Sequence, residues 1–274
     1  MTRQYEFGFI GAGNMAEAII AAAVKDKLFD GKELVVFDPV AERVQACATR
    51  LGVQVAPGNA QVVADSQRIL VAVKPQSFDE AISPVADAVG ADQLVVSIMA
   101  GVGTRRIEAA FPRIDARVVR VMPNLPIRVG SGISGICPGR HATTRDVTDV
   151  QALFEAGGGT VVLRDESLMD AVTAVSGSGP AYFYYFVEAM VAGGVECGLT
   201  QADALSLAEY ACLGAGRMMV ETKEPPAELR RKVTSKGGTT QAALEHMSAA
   251  GVDQAIREAV RAAFERALVL GKGG

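Results

Sequence analysis

The chain has 274 residues, room for two domains, and its 49% hydrophobic and 21% charged content builds a core and excludes a disordered protein. A formal charge of -4, from 27 basic and 31 acidic residues with no basic cluster, leaves no electrostatic footprint for nucleic acid. No apolar run is long enough to span a bilayer, and no metal is expected from two histidines, His141 and His246, and four scattered cysteines.

The opening MTRQYEF leads almost directly into a strand without the apolar stretch of a secretory signal, so a cytoplasmic protein is expected. Cys47, Cys137, Cys197 and Cys212 then read as buried thiols in a reducing compartment. To about residue 164, strand-like runs rich in Val and Ile alternate with helical patterns: YEFGFI, ELVVFD, GVQVA, RILVAV, QLVVSI, RVVRVM, SGISGIC and GTVVL. Between them lie segments such as NMAEAIIAAAVKD, AERVQACATRL and TRRIEAAF. Near-continuous apolar strands separated by helices predict a parallel sheet covered on both faces, a doubly wound α/β domain.

Within that first half, FGFIGAGNMAEAI carries G-x-G-x-x-A as Gly11, Gly13 and Ala16, leaving the first strand and opening the first helix. Gly11 makes the tight turn, Gly13 lets backbone N–H groups approach a pyrophosphate, and Ala16 keeps helix and sheet close. The helix dipole favours the phosphate charge. The same pattern also occurs as a plain strand–helix turn. The second strand ends at Asp38, where an acidic residue takes the ribose hydroxyls of NAD and repels a 2′-phosphate. Arg43, one turn on, softens that choice, and Asp38 reads equally as a cap for the following helix. Lys74, after the fourth strand, is either a catalytic ammonium or a solvated lysine.

After residue 164 strand signals stop, and helices are predicted at about 167–198, 201–221, 226–233, 240–249 and 252–271. The segment AYFYYFVEAMVAGGV, 181–195, is apolar on most faces, which predicts burial all round and, in so small a bundle, packing against a second subunit. SGSGP allows close helix packing or close approach of a flat ring, with Pro180 at a first helical position or a kink. VTSKGGTTQAAL sets Thr234, Ser235, Thr239 and Thr240 around Gly237 and Gly238 ahead of a helix. One hydroxyl suffices for a cap; this loop reads as a cradle of N–H and O–H donors for a small carboxylate, with a threonine-capped helix as the plainer alternative.

Together, VAVKPQ, VSIMAG, RVMPNLP, VTAVSGSGPAYFYYF and LRRKVTSKGGTTQAAL resemble the motif set of the pyrroline-5-carboxylate reductases, in order and over essentially the whole chain. The resemblance implies an N-terminal Rossmann-type dinucleotide-binding domain, 1–164, followed by an all-α substrate-binding and dimerisation domain, 165–274. It implies reduction of L-1-pyrroline-5-carboxylate to L-proline by NADPH or NADH, with Asp38 favouring NADH. It also implies a homodimer through the C-terminal helices and further assembly, commonly to a decamer. Carried over by position, Gly11, Gly13, Asn14, Met15 and Ala16 match the pyrophosphate loop, and Asn59 a residue beside the adenosine. Val73, Lys74, Pro75, Ala100 and Gly101 match the nicotinamide side, with Met122, Pro123 and Asn124 as the turn beneath the ring. Thr173 matches the hydroxyl facing the substrate nitrogen, and Ser176, Gly238, Thr239 and Thr240 are the remaining substrate contacts. Two positions depart from the family pattern: Leu125 replaces a threonine and Lys236 a proline.

The scarcity of strong acid–base groups suits this chemistry. Ketone reduction leaves an alkoxide that a positioned acid must protonate. A cyclic imine can be protonated before hydride arrives, and the product amine keeps that proton. Two rivals stand beside this reading: a β-hydroxyacid dehydrogenase, which requires a lysine on an interdomain helix where 167–221 has none, and a non-catalytic dinucleotide-binding protein.

Overall fold

The computed structural model describes residues 3–271. Its strands are β1 (Tyr5–Ile10), β2 (Leu34–Phe37), β3 (Gln54–Val55), β4 (Ser66–Val71), β5 (Leu94–Ser97), β6 (Arg117–Met122), β7 (Gly132–Pro138) and β8 (Gly158–Val162). They form one sheet in the order β3-β2-β1-β4-β5-β6-β7-β8. The helices of this part are α1 (Asn14–Lys25), α2 (Ala41–Leu51), α3 (Asn59–Asp65), α4 (Phe78–Ile82), α5 (Thr104–Glu108) and α6 (Thr144–Glu155).

Alternation along the mainly apolar strands explains the two covered faces. Leu34, Val36, Leu70, Val119 and Val121 join Ile19 and Ile20 of α1 and Phe154 of α6 in one core. Their neighbours Val35, Ile69, Val71 and Val118 point the other way, into a second core with Val62 of α3, Phe78 and Ile82 of α4 and Ile107 of α5. The sheet departs from the all-parallel expectation at one place. β1 to β6 pair in parallel. β7 then runs antiparallel to β6, with Val121 opposite Ile136, and β8 returns parallel to β7. The link from Met122 to Gly132 holds only a 3-10 turn, Leu125–Val129, and is too short for the crossover a parallel pair requires.

Beyond β8 the chain is helical, but the single helix expected over 167–198 is broken. A short helix α7 (Met169–Val172) runs into a π turn at Thr173–Gly177, and α8 (Gly179–Glu196) follows. The Ser178 N–H donates to the Thr173 carbonyl at 2.9 Å, the five-residue spacing of a π turn. The interruption has a covalent cause: Pro180 has no N–H for the carbonyl of Ser176, four residues earlier. The remaining helices, α9 (Gln201–Thr222), α10 (Pro226–Lys232), α11 (Thr239–Ala249) and α12 (Val252–Gly271), lie within two residues of their predicted ends.

Among the described residues, 3–178 with 263–271 make one compact unit and 179–262 a second. The second unit has little core of its own: Val191, Ala204 and Ala208 are its buried cluster, with Val187 against them. The expectation that α8 is buried on all sides is not met within one chain, where Tyr185 is 76% exposed and Phe183, Tyr184, Phe186 and Met190 are also exposed. An apolar surface of that extent marks a contact face. The expected burial of all four thiols also fails: Cys47 and Cys137 are buried, Cys212 is half-buried and Cys197 is exposed. No helix among the described residues is long and apolar enough to cross a membrane.

Candidate active site

The first candidate region is built at the carboxyl edge of β1, β2 and β4. Gly11 adopts φ +103°, and a Cβ there would lie 2.9 Å from the carbonyl oxygen of Ala72, so no other residue fits this turn without strain. Gly13 caps α1 without a side-chain hydrogen bond, and a Cβ on it would meet nothing within 4 Å. The first turn of α1 thus has no side-chain cap and is open above Gly13, at the helix end where an anion is favoured. A cleft of about 610 Å³ lies there, lined by Gly13, Asn14, Asp38, Val73 and Lys74 among others. Open N–H groups beside a cleft of ligand size fit the pyrophosphate of a dinucleotide. Ala16 is buried beneath the loop in the core, and Met15 packs against that core half-buried.

Asp38 is buried and ties the cleft together. Its Oδ2 accepts from the Ala12 N–H at 2.8 Å and its Oδ1 from the Val40 N–H at 2.9 Å. The alternative that Asp38 caps the following helix is not met, because α2 has Val40 as its N-cap and no side-chain cap bond; the carboxylate instead braces the turn before α2 and lines the cleft. Arg43 stands 3.8 Å from Oδ1, exposed at the same cleft. Lys74 is exposed, and Pro75 opens a 3-10 turn beside it. Asn59 lies outside this lining; its Nδ2 donates to the Ala81 carbonyl at 3.0 Å, fixing the start of α3. Gly101, at φ +75°, follows the exposed Ala100 and packs against Gly271 of α12, where a Cβ would come within 3.2 Å.

A second group gathers where β6 ends. Pro123 and Asn124 are buried there. Asn124 Oδ1 accepts from the Ile133 N–H at 2.9 Å, and its Nδ2 donates to the Ser176 carbonyl at 3.0 Å. Met122 meets the π turn at Gly177, where a Cβ would lie 2.8 Å from its Cε. In that turn the Thr173 hydroxyl donates to the Met169 carbonyl and the Ser176 hydroxyl to the Val172 carbonyl, both at 2.9 Å. Each hydroxyl has thereby committed its one proton and keeps acceptor lone pairs.

The third group belongs to the second compact unit. Gly237 adopts φ +71°, and its N–H donates to Gln241 Oε1 at 2.7 Å. Gly238 is the N-cap of α11, with no side-chain cap hydrogen bond, so Thr239 and Thr240 open the helix with uncapped N–H groups. Lys236 is exposed beside them.

Sequence reasoning overlooked one cluster. Thr104 donates to Glu166 through its N–H at 2.7 Å and its hydroxyl at 2.6 Å, and the buried Arg120 joins Glu166 at 3.1 Å. A signal was present, since an arginine within the apolar strand RVVRVM demands a carboxylate partner.

A glycine-turn cleft at the carboxyl edge of a sheet ordered 3-2-1-4-5-6 through its parallel part marks a dinucleotide-binding protein of the Rossmann type. Residues 166–270 match the family model for pyrroline-5-carboxylate reductase dimerisation, and residues 6–101 one described as NADP oxidoreductase, coenzyme F420-dependent. The pyrroline-5-carboxylate reductase of Synechocystis sp. is 41% identical over 268 residues, which cover 97% of this chain and 98% of that protein. The chain belongs to the pyrroline-5-carboxylate reductase family. Among solved structures, a pyrroline-5-carboxylate reductase from Coxiella burnetii superposes with a TM-score of 0.92 at 29% identity, covering 98% of this chain and 99% of that one. The Plasmodium falciparum pyrroline carboxylate reductase, solved with NADP bound, gives 0.85 at 25% identity, covering 99% and 100%. The dimerisation match supports a homo-oligomer, and the family places a nicotinamide dinucleotide as cofactor.

Proposed function

We propose that the chain reduces the C=N bond of L-1-pyrroline-5-carboxylate to give L-proline, the closing step of proline biosynthesis, with NADH the preferred donor. The observation that carries the reading is the 41% identity to a pyrroline-5-carboxylate reductase across 97% of the chain. The local geometry supports it. When bound, the reduced nicotinamide supplies the hydride; the chain supplies binding, orientation and exclusion of water. Residues 1–164 hold the dinucleotide, with the α1 N–H groups on the pyrophosphate and Asp38 at the ribose hydroxyls. Asn59 serves the adenosine side, while Val73, Lys74, Pro75, Ala100, Gly101 and Pro123 surround the nicotinamide half, and Asn124 sits in the turn behind them.

Residues 165–274 bind the substrate and form the dimer. The uncapped N–H groups and the hydroxyls of Thr239 and Thr240 clamp its carboxylate, with Gly238 as the N-cap that leaves room for it, each hydrogen bond to a charged group contributing about 1.5–3 kcal/mol. The Thr173 hydroxyl, its proton already given to Met169, accepts from the N–H of a protonated cyclic imine, and Ser176 lies beside it. Holding the imine carbon in near-attack contact with the donor then does most of the catalytic work. The protein works in the cytoplasm as a dimer through α8 and α9 that assembles further, to a decamer. The absence of a lysine from 167–221 disfavours a β-hydroxyacid dehydrogenase. Mixing the purified protein with the imino acid and either NADH or NADPH, and following nicotinamide absorbance, tests the reading. No decay from folded protein with either cofactor would sink it.

A further inference from the structure

The segment from Glu166 to Ser178 is a strap pinned to the sheet at both ends. At its start, the Glu166 carboxylate accepts from the Thr104 N–H and hydroxyl at 2.7 and 2.6 Å, and pairs with Arg120, which is 6% exposed. In its middle it lies tight on β7: a Cβ on Gly135 would come within 2.7 Å of Val172 Cγ1. Toward its end, Asn124, two residues beyond β6, donates to the Ser176 carbonyl at 3.0 Å. That carbonyl has lost its ordinary helical donor, because the residue four positions on is Pro180. Asn124 is 7% exposed, and its other amide atom is taken by the Ile133 N–H at 2.9 Å. Both ends of its side chain are thus engaged by the protein, one at the base of the sheet and one on the π turn that carries Thr173.

We propose that Asn124 is a positioning residue for imine reduction. It substitutes for the N–H missing at Pro180, holding the π turn in the register that presents the Thr173 hydroxyl, and Glu166 holds the other end of the same strap. The proposal rests on the reading of Thr173 given above. It assigns Asn124 an effect through the π turn in place of the cofactor contact that its motif suggests. It also links two motifs far apart in sequence, RVMPNLP and SGSGP, through one hydrogen bond.

The test is Asn124→Asp, which keeps size and an acceptor for Ile133 but removes the donor to Ser176. Glu166→Gln, at a half-exposed side chain, loosens the opposite anchor and serves if the first variant does not fold. For each folded variant, kcat is measured with the imino acid well below the melting temperature. The dissociation constant for the reduced dinucleotide is measured separately by its fluorescence. Asn124→Asp is expected to lower kcat about twentyfold and Glu166→Gln about threefold, with dinucleotide affinity within about twofold of wild type in both. A merely structural role would lower the melting temperature and leave the kcat of folded enzyme unchanged. Unchanged kcat in the folded variants overturns the proposal, as does a loss of dinucleotide affinity in step with kcat. Wild-type enzyme run alongside separates the two ideas: turnover there with unchanged variants strikes only the strap, whereas no turnover there strikes the functional reading and the strap with it.

Discussion

In the proposed function Asp38 has two jobs that one substitution can separate. Its oxygens accept from the Ala12 and Val40 N–H groups at 2.8 and 2.9 Å, which braces the glycine turn. The perturbation is Asp38→Asn, which keeps the shape, replaces one oxygen by an NH₂ that faces an N–H donor, and removes the charge. Losing one hydrogen bond to a charged group costs about 1.5–3 kcal/mol in the brace. That cost falls equally on NADH and NADPH, which share the pyrophosphate and adenine. The charge separates the two: it strengthens hydrogen bonds from the ribose hydroxyls of NADH, whereas a carboxylate about 4 Å from a 2′-phosphate repels NADPH by roughly 1–4 kcal/mol, between bulk-water and near-surface screening. At about 1.4 kcal/mol per decade, the ratio of kcat/KM for NADPH over NADH is expected to rise at least fivefold, toward several hundredfold at the strong end. Arg43, now 3.8 Å from Oδ1, is released toward the phosphate and pushes the same way. The assay is kcat/KM with each cofactor at saturating imino acid, repeated at two salt concentrations, with a thermal melt to follow the brace. A lower melting temperature with the cofactor ratio within twofold of wild type would refute the argument, leaving Asp38 a brace and nothing more.

Thr240→Ala removes a hydroxyl from the α11 clamp and is expected to raise the KM for the imino acid about tenfold or more, with the KM for NADH within about twofold; a shift in both alike would place Thr240 outside the substrate clamp. Tyr185→Asp puts a charge on the aromatic face of α8, where the wild-type ring is 76% exposed in the single chain; light scattering should then show loss of the oligomer, and an unchanged mass would move the contact face elsewhere. Burial pushes the thiols of Cys47 and Cys137 up to about 11, with Glu166 adding to the effect at Cys137. These acids are neutral in the fold, so their contribution to stability is full below the ordinary thiol range and fades as pH rises toward about 11. At pH 8 a thiol reagent should therefore leave both unlabelled in native protein, and modification of either by mass spectrometry would contradict their burial.

Much of this fold could be read in the sequence because its central strands are covered on both faces. Runs such as ELVVFD and QLVVSI keep both faces of their middle residues apolar, and the strands appear at the apolar runs read from the sequence. Apolar content alone does not encode direction, which is why the reversal at β7 is not legible in it; the shortness of the link after Met122 was the physical clue. Composition likewise overstated burial in the second unit, since the aromatic face of α8 and Cys197 meet solvent in the single chain. Local chemistry made the glycine turn at Gly11 legible, because only a residue without Cβ tolerates φ +103° against Ala72. The π turn was less accessible. A helical pattern runs smoothly through Val172 to Phe186 unless one asks what donor serves each carbonyl ahead of Pro180. That accounting leaves Ser176 unserved and requires a donor from elsewhere in the chain, and only the folded sheet brings Asn124, 52 residues earlier, to supply it.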